Sequence, residues 1–317
     1  MKKKKILIIT SKAFNPSWKV ELKKTYKKAK ILFIEDIKGE ILKHVANCNA
    51  MIGCPRYVFK KQDFDFFKHL DWIHAGGAGI EDFVGTNLKK SNITFTNGKI
   101  IQGPEVADHA IALLLYFCRN FNEIIQNKKL STRPIEIYNK KALIFGLGGI
   151  GFSIAERLNA HGAKVDAISN EVPVISNNLN NIFYKRQDLE IGIYDFIFCA
   201  APLTFRTEFI FNYSFFKKMK NESIFINVSR GKLVRTEDLL KNKIYKKFRG
   251  IGLDVTDPEP LPDRHKFKNI KNIFITPHIA GLSDNNRKRG YELIKENLYR
   301  YLNNQELLNI VDKKKEY

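Results

Sequence analysis

The sequence predicts an α/β fold with two parallel, doubly wound sheets, and two features of the chain support this prediction. Short apolar runs alternate along most of the chain with longer stretches of helical periodicity, which is typical of strand–helix–strand units. The chain has 317 residues, more than a single hydrophobic core usually organises. We therefore expect two domains, one formed by residues 101–284 and one formed by residues 1–100 together with 285–317.

The expected elements follow from these runs. Strands are predicted at residues 5–10, 31–34, 50–53, 72–74, 93–96, 142–145, 164–168, 196–199, 224–228, 250–253 and 273–275. Helices are predicted at residues 106–122, 150–160 and 284–302, and Gly162 is expected to close the second of them. Because strands and helices alternate, the strands of each sheet should be parallel.

The chain is strongly basic, with 54 lysines and arginines against 33 acidic residues and a net charge of +21. The lysines are scattered rather than gathered on one helix, and no nucleic-acid-binding motif is present. We expect a solvated, lysine-rich surface that does not bind nucleic acid and that attracts small anionic substrates.

Composition also favours a cytoplasmic protein without a membrane anchor. No apolar run approaches the roughly 18 residues that a membrane span needs. The apolar run at Ile6–Ile9, which follows the N-terminal lysines, is too short for a secretory signal. The four cysteines form no C-x-x-C pair, which favours free thiols in a reducing compartment. The seven histidines lack metal-ligand spacing, so no metal site is expected.

A glycine-rich turn follows the strand at residues 142–145 and opens the next helix. It reads Gly146-Leu147-Gly148-Gly149-Ile150-Gly151, the G-x-G-x-x-G pattern. In this setting the first glycine permits a tight turn, the second lets backbone approach a pyrophosphate, and the third lets helix and strand pack closely. The helix N-terminus supplies N–H groups for the phosphates. The domain at residues 101–284 is therefore predicted to bind a dinucleotide.

The residue that contacts the cofactor ribose is expected about 20 residues further on, at the end of the next strand. Ser169 and Asn170 stand there, whereas Asp166 lies earlier, within the strand, and is not assigned. Without a carboxylate at the strand end, the repulsion that excludes a 2′-phosphate is missing. No arginine adjoins Ser169, however, and Glu171 would oppose a phosphate. We expect NAD(P)H as cofactor, with NADPH favoured over NADH.

Three polar motifs follow the last three predicted strands, where open parallel sheets place their ligands. They are Ile-Asn-Val-Ser-Arg-Gly at 226–231, Asp-Val-Thr-Asp-Pro-Glu-Pro-Leu-Pro at 254–262, and Thr-Pro-His-Ile-Ala-Gly at 276–281. Together they offer an arginine, a carboxylate and a histidine. A guanidinium suits a substrate carboxylate and an imidazole suits proton transfer, so the set indicates acid–base chemistry on an anion.

With these motifs in this order, the chain resembles the D-isomer-specific 2-hydroxyacid dehydrogenase family over nearly its whole length. Residues 104–109 resemble the family's helix start, with Asp108 where glutamate is usual, and residues 201–207 resemble its cofactor-contact loop. Within the family, the chain looks nearest to glyoxylate/hydroxypyruvate reductase-like members. The resemblance implies two Rossmann-like or flavodoxin-like domains with the active site in the cleft between them. It also implies a homodimer, for which residues 110–121 would supply an apolar helix.

The resemblance further implies a reversible, D-specific hydride transfer between NAD(P)H and C2 of a small 2-oxo or 2-hydroxy acid. Arg230 would bind the substrate carboxylate and polarise the C2 carbonyl, His278 would exchange the proton, and Glu259 would hydrogen-bond the imidazole. The implied substrate contacts are the backbone N–H groups of Ala78 and Gly79 and the side chain of Arg56. Besides the glycine turn, cofactor contacts are implied for Val106, Ala201, Pro202, Thr207, Val228, Ser229 and Asp254.

Other functions remain open at this point. The main alternative is a non-enzymatic, cofactor-sensing regulator on the same scaffold, and another is a dehydrogenase of the formate or phosphite type. The charge alone motivates a nucleic-acid-binding protein. Trp72 and His74 are interpreted as core residues, and His109 as a structural residue.

Overall fold

The computed structural model describes residues 3–11, 14–35, 40–54, 67, 69–80, 83, 87–125, 129–170, 179–184 and 189–315. The chain divides into two compact units. Unit 1 comprises Met1–Ile101 and Asp284–Tyr317, and unit 2 comprises Gln102–Ser283. Each unit contains its own parallel sheet.

The strands of unit 1 are β1 Lys5–Thr10, β2 Lys30–Glu35, β3 Ala50–Ile52, β4 Trp72–His74 and β5 Thr94–Thr96. Those of unit 2 are β6 Lys141–Phe145, β7 Lys164–Ile168, β8 Asn181–Phe183, β9 Phe196–Cys199, β10 Ile224–Asn227, β11 Gly250–Leu253 and β12 Ile273–Ile275. The helices are α1 Pro16–Thr25, α2 Glu40–Val45, α3 Gly103–Cys118, α4 Phe121–Ile124, α5 Gly149–Ala160, α6 Tyr213–Lys218, α7 Thr236–Leu240 and α8 Asn286–Leu302. Within the described ranges, no helix is long and apolar enough to cross a membrane.

The sheet of unit 1 has the order β2-β1-β3-β4-β5 within the described residues, and every pairing in it is parallel. This order, 2-1-3-4-5, is the flavodoxin-like one. Strands β3 and β4 are buried along their whole length, and β1 is buried after its first residue. Continuous burial is expected of a parallel sheet whose two faces are both covered. The sequence-based prediction of a flavodoxin-like parallel sheet is confirmed.

The C-terminal part of the chain packs onto the rest of unit 1. On α8, the ring of Tyr291 stacks on Trp18 of α1, with ring centroids 4.4 Å apart. Beyond α8, Ile310 forms an antiparallel bridge with Thr96, and the amide of Val311 donates to the carbonyl of Phe95 at 2.8 Å. Ile310 and Val311 therefore lie beside β5.

The sheet of unit 2 has the order β12-β11-β10-β9-β6-β7-β8 within the described residues, again with parallel pairings throughout. Counted from its own first strand, this is the Rossmann order 3-2-1-4-5-6 with a seventh strand added at one edge. Strand β8 is absent from the sequence-based prediction. It is three residues long and only partly buried, so it lacks the apolar run that marks the central strands.

Helix α3 begins three residues earlier and ends four residues earlier than predicted. The helix predicted over residues 106–122 ends at Cys118, and Asn120 adopts a left-handed conformation with φ of 59° before α4 begins. Asparagine tolerates this conformation, and here its side chain donates to Thr132 O at 2.6 Å and accepts from Arg249 at 2.7 Å. Gly162, by contrast, closes α5 as predicted. Its φ is +76°, and the amide of Ala163 donates to Leu158 O at 3.0 Å, as in a Schellman motif.

Candidate active site

The glycine turn joins β6 to α5, and a side chain would meet different surroundings at each of its three motif glycines. Gly146 has φ of +90°, and a Cβ there would lie 2.6 Å from Ala201 Cα. A Cβ on Gly151 would collide with the carbonyl oxygen of Gly146. A Cβ on Gly148, however, would meet no described protein atom within 4 Å. The side of the turn at Gly148 is thus open to a ligand that approaches the backbone closely.

The start of α5 provides the matching chemistry. Gly148 is the N-cap, and a glycine has no side chain that could cap the amides of the first turn. The first N–H groups of a helix have no partner within the helix, so the turn from Gly148 through Gly149 and Ile150 presents donors and the positive end of the helix dipole. Open space in front of uncapped amides fits a pyrophosphate, and the residues present therefore fit a dinucleotide.

At the end of β7, the structure places Ser169 and Asn170 beyond the strand, as predicted. The amide of Ser169 donates to Phe183 O at 3.0 Å, and Asn170 is exposed. Asp166 has a structural role, because its two carboxylate oxygens accept from Asn181 at 2.9 Å and from the Tyr194 hydroxyl at 2.8 Å. Burial, and then this hydrogen bond, raises the pKa of Tyr194. Glu171 lies outside the described residues.

Of the other predicted cofactor contacts, Ala201 lies against the glycine turn, at Gly146. The Thr207 hydroxyl donates to Pro202 O at 2.6 Å and accepts from Thr204 N at 2.8 Å, which fixes the loop after β9. The hydroxyl of Ser229 donates to the carbonyl of Ala201. These contacts bring together the loops that follow β9 and β10, the two strands beside β6 on that side. Val106 and Val228 are buried in the core of unit 2.

Arg230, Glu259 and His278 follow β10, β11 and β12, which are neighbours in the sheet. His278 Nδ1 lies 2.5 Å from Glu259 Oε1. Because a carboxylate oxygen accepts, this contact assigns the proton to Nδ1 and leaves Nε2 to exchange protons with a substrate. Both side chains remain partly exposed, at 45% and 39%. The arrangement is that of an accessible acid–base pair at the ligand-binding edge of the sheet.

Arg230 is held at its backbone. Asn227, the last residue of β10, donates from its side-chain amide to Arg230 O at 2.9 Å. The guanidinium donates to Ser229 O at 2.7 Å, and the side chain is partly buried. The residue therefore presents a positive charge at the end of β10, beside the loop that carries Glu259.

Two residues that sequence reasoning missed support the Glu259 loop. The Thr236 hydroxyl donates to Asp257 O at 2.8 Å. A Cβ on Gly231 would overlap the carbonyl oxygen of Thr256, so the Arg230 and Glu259 loops are in direct backbone contact. A glycine directly after the arginine was visible in the sequence, but its neighbour across the sheet was not.

Asp254, predicted to contact the cofactor, is 2% exposed. Its carboxylate accepts from the Thr276 hydroxyl at 2.6 Å and from the amides of Ile279 and Ala280 at 2.9 and 3.0 Å. The structure thus shows Asp254 holding the turn that carries His278. Thr276 was also missed, although a hydroxyl residue at the end of a strand and two positions before the histidine was a usable signal.

In unit 1, the glycine-rich loop after β4 carries the predicted substrate contacts Ala78 and Gly79. Ala78 O accepts from the Asn97 side chain at 2.7 Å, and Gly77 O accepts from Gly98 N at 3.0 Å. Within the described part of the chain, the amides of residues 76–79 have no hydrogen-bond acceptor. Such a run of amides can bind a carboxylate. Arg56, the third predicted substrate contact, lies outside the described residues.

Trp72 and His74 are core residues, as predicted. Both lie against Thr96, whose hydroxyl oxygen is 2.8 Å from Trp72 Nε1 and 2.9 Å from His74 Nδ1. Burial lowers the pKa of His74 to about 4. Burial also raises the pKa of the Cys118 and Cys199 thiols to about 12, so these cysteines are inert. Among the described residues, no three His, Cys, Asp or Glu side chains are placed to hold a metal ion.

Fold and site together define an α/β oxidoreductase that binds a nicotinamide dinucleotide. The chain belongs to the D-isomer-specific 2-hydroxyacid dehydrogenase family, since the model of that family's NAD-binding domain matches residues 111–280. Its nucleotide-binding sequence and its relatives make it an NAD(P)-dependent enzyme of the 2-hydroxyacid dehydrogenase class. The sequence-based recognition of the family is confirmed.

Individual relatives agree with this assignment. The chain is 32% identical to glyoxylate reductase/hydroxypyruvate reductase of Homo sapiens over 241 residues, and these residues are 73% of each chain. It is 29% identical over 279 residues to glyoxylate reductase of Pyrococcus horikoshii, covering 83% of each. Its fold is similar to the crystal structure of a D-isomer specific 2-hydroxyacid dehydrogenase from Xanthobacter autotrophicus Py2, in complex with NADPH and MES. That likeness has a TM-score of 0.83, with 20% identity over 98% of this chain and 99% of that one.

Proposed function

We propose that this chain reduces a small 2-oxo acid of the glyoxylate or hydroxypyruvate type to the corresponding 2-hydroxy acid, of D configuration where C2 becomes a stereocentre, and catalyses the reverse oxidation. The observation that carries the proposal is the pair of His278 and Glu259, 2.5 Å apart, at the strand ends beside Arg230 and in the same unit as the glycine turn. The names of the human and Pyrococcus relatives support this choice of substrate class.

The proposed roles follow from the chemistry of each side chain. When bound, the cofactor supplies or takes up the hydride at C2. Arg230 binds the substrate carboxylate and polarises the C2 carbonyl, because its planar guanidinium matches those oxygens. His278 gives the proton on Nε2 to the carbonyl oxygen as it becomes a hydroxyl, and accepts it in the reverse direction. Glu259 holds Nδ1 and so fixes the orientation of the ring. In unit 1, the amides of Ala78 and Gly79 are the proposed backbone ligands of a carboxylate.

NADPH is the cofactor we propose to be favoured. Ser169 occupies the strand-end position at which a carboxylate would repel the 2′-phosphate, and the carboxylate of Asp166 is engaged by Asn181 and Tyr194. The proposed cofactor contacts are Gly146, Gly148, Gly149, Ile150, Gly151, Ser169, Asn170, Ala201, Pro202, Thr207, Val228, Ser229, Asp254 and Val106.

A cytoplasmic homodimer remains part of the proposal. The apolar residues of α3, such as Ala110, Leu114 and Phe117, are buried in the core of unit 2 itself. Exposed apolar side chains follow that helix, with Phe121 48% and Ile125 71% exposed. They would supply the subunit contact. Mass measurement in solution tests this, and a monomer at high protein concentration would contradict it.

One experiment tests the function directly. Purified protein is assayed with NADH and with NADPH against glyoxylate, hydroxypyruvate, pyruvate, phenylpyruvate and bulkier 2-oxo acids, and the chirality of each product is determined. We expect the highest kcat/KM with glyoxylate and hydroxypyruvate, a preference for NADPH, and D products wherever C2 becomes a stereocentre. An L product would refute the stereochemical proposal. Cofactor binding without turnover of any acid would instead indicate the cofactor-sensing regulator.

A further inference from the structure

A second histidine of unit 2 is connected to the turn that carries His278. His109 lies on α3, and its side chain is 19% exposed. Its Nε2 atom is 2.9 Å from the Thr276 hydroxyl oxygen and 3.5 Å from Asp254 Oδ1. From the sequence, His109 is expected to be a structural residue, and its local sequence does not indicate these partners.

The direction of the hydrogen bonds in this group can be deduced. The Asp254 carboxylate accepts, so the Thr276 hydroxyl must donate its one proton to Oδ1, 2.6 Å away. The Thr276 oxygen is then the acceptor for His109, and His109 must carry a proton on Nε2. The chain of donors therefore runs from His109 through Thr276 to Asp254.

Asp254 connects these hydrogen bonds to the turn that carries His278. Its carboxylate accepts from the amides of Ile279 and Ala280, and its backbone carbonyl accepts from the amide of His278 at 2.9 Å. His278 itself has φ of +54°, in the left-handed region that non-glycine residues rarely adopt. A side chain in this conformation needs its neighbours to hold the backbone, and here Asp254 holds three of the amides that form the turn.

We propose that His109 is a positioning residue of this dehydrogenase, which acts through Thr276 and Asp254 to hold the turn that presents His278. The inference rests on the proposed function, since it assigns His278 the proton transfer. Asp254 is 2% exposed, and both of its carboxylate oxygens accept from protein donors, as this positioning role requires. His109 does not touch the reacting atoms in this scheme.

The test uses variants that remove or keep single hydrogen bonds. Thr276→Val keeps the shape of the side chain and removes the hydroxyl, whereas Thr276→Ser keeps the hydroxyl. His109→Phe removes the donor, and His161→Gln, at the exposed end of α5, is the control. We expect Thr276→Val and His109→Phe to lower kcat by about tenfold or more, with little change in KM or in NADPH affinity. Thr276→Ser should keep most of the wild-type kcat.

The double variant Thr276→Val/His109→Phe should be no slower than the slower single variant, because both changes break the same chain. Rate losses that multiply, or kcat values per folded molecule equal to wild type, would overturn the inference. A purely structural role would lower the unfolding temperature and the active fraction, and would leave kcat per folded molecule unchanged.

A second measurement does not depend on activity. In the ligand-free protein, nitrogen NMR of the imidazoles should show His109 protonated on Nε2, and Thr276→Val should shift the resonances of both His109 and His278. Unmoved His278 resonances would overturn the inference even in an active enzyme. Absence of turnover in the wild type, with the NMR pattern as expected, would overturn the proposed function and leave the hydrogen-bond chain established.

Discussion

Gly231 packs its Cα against the carbonyl oxygen of Thr256 so closely that a Cβ on residue 231 would overlap that oxygen. The contact joins the loop after β10, which presents Arg230, to the loop after β11, which presents Glu259. The loops that carry two side chains of the proposed mechanism are thus in direct backbone contact. Thr236 strengthens the same contact through Asp257 O.

The first prediction concerns this contact. Gly231→Ala should destabilise unit 2 by about 1–3 kcal/mol, the usual cost of overpacking, because the obstructing atom is backbone and cannot rotate away. It should also lower kcat, since the Arg230 and Glu259 loops are forced apart. Thermal unfolding and steady-state kinetics measure the two effects. A variant with wild-type values for both would show that the loops separate without consequence.

Gly148→Ala should behave in the opposite way. A Cβ there meets no described protein atom within 4 Å, so the unfolding temperature of the ligand-free protein should not change. A bound pyrophosphate would meet the methyl group, and an overpacking cost of about 1–3 kcal/mol weakens NADPH binding roughly 5- to 150-fold. Calorimetric titration measures the affinity. Unchanged affinity would place the phosphates elsewhere.

The third prediction concerns His278. Asparagine tolerates a positive φ, so His278→Asn removes the imidazole with less backbone strain than alanine would bring. It should lower kcat by roughly 10²–10⁴-fold, the usual contribution of a general acid–base. Glu259→Gln should cause a smaller loss of kcat, because the ring remains but its Nδ1 partner loses its charge. If kcat were unchanged in His278→Asn, the histidine would have no part in proton transfer.

The fourth prediction concerns cofactor choice. Ser169→Asp places a negative charge at the end of β7, and like charges brought together cost several kcal/mol. The ratio of kcat/KM with NADH to that with NADPH should therefore rise by at least roughly tenfold. Ser169→Asn, of similar size but neutral, is the control. An equal ratio in both variants would show that the 2′-position of the ribose does not lie near residue 169.

The fifth prediction is a pH dependence of stability. Burial lowers the pKa of His74 from 6.5 to about 4, so between these values the unfolded chain binds a proton that the folded chain does not. The contribution of His74 to the free energy of unfolding is therefore complete above pH 6.5. It is lost as the pH falls toward 4, by about 3 kcal/mol in all. His74→Asn should flatten the fall of the unfolding temperature in this window. Equal slopes would show that His74 does not control the acid response.

The elements with local signals could be predicted from the sequence. Gly146, Gly148 and Gly151 stand in a fixed pattern between a strand and a helix, and Arg230, Glu259 and His278 each follow an apolar run. In a parallel sheet, residues after successive strands lie at one edge, so their order along the chain was enough to expect a common site. The structure places all three after neighbouring strands of unit 2.

The contacts that connect distant parts of the chain could not be predicted. His109 and Thr276 are 167 positions apart, and Gly231 meets Thr256 only because β10 and β11 are neighbours. A single sequence shows which residues can form hydrogen bonds, but it does not show which of them meet. The end of α3 could not be predicted for a related reason. The partners that hold Asn120 in its left-handed conformation, Thr132 and Arg249, are distant in sequence.

The antiparallel bridge between Ile310 and Thr96 covers part of one edge of the sheet in unit 1. Strand β5 is the last strand of the sheet in unit 1, and an uncovered edge of this kind recruits other chains and starts aggregation. Ile310 and Val311 use part of that hydrogen-bonding edge, and Lys313 donates to Ser91 O just before the strand. Residues 310–313 therefore cover part of this edge, and we expect a variant shortened to residue 309 to self-associate more readily than the full sequence.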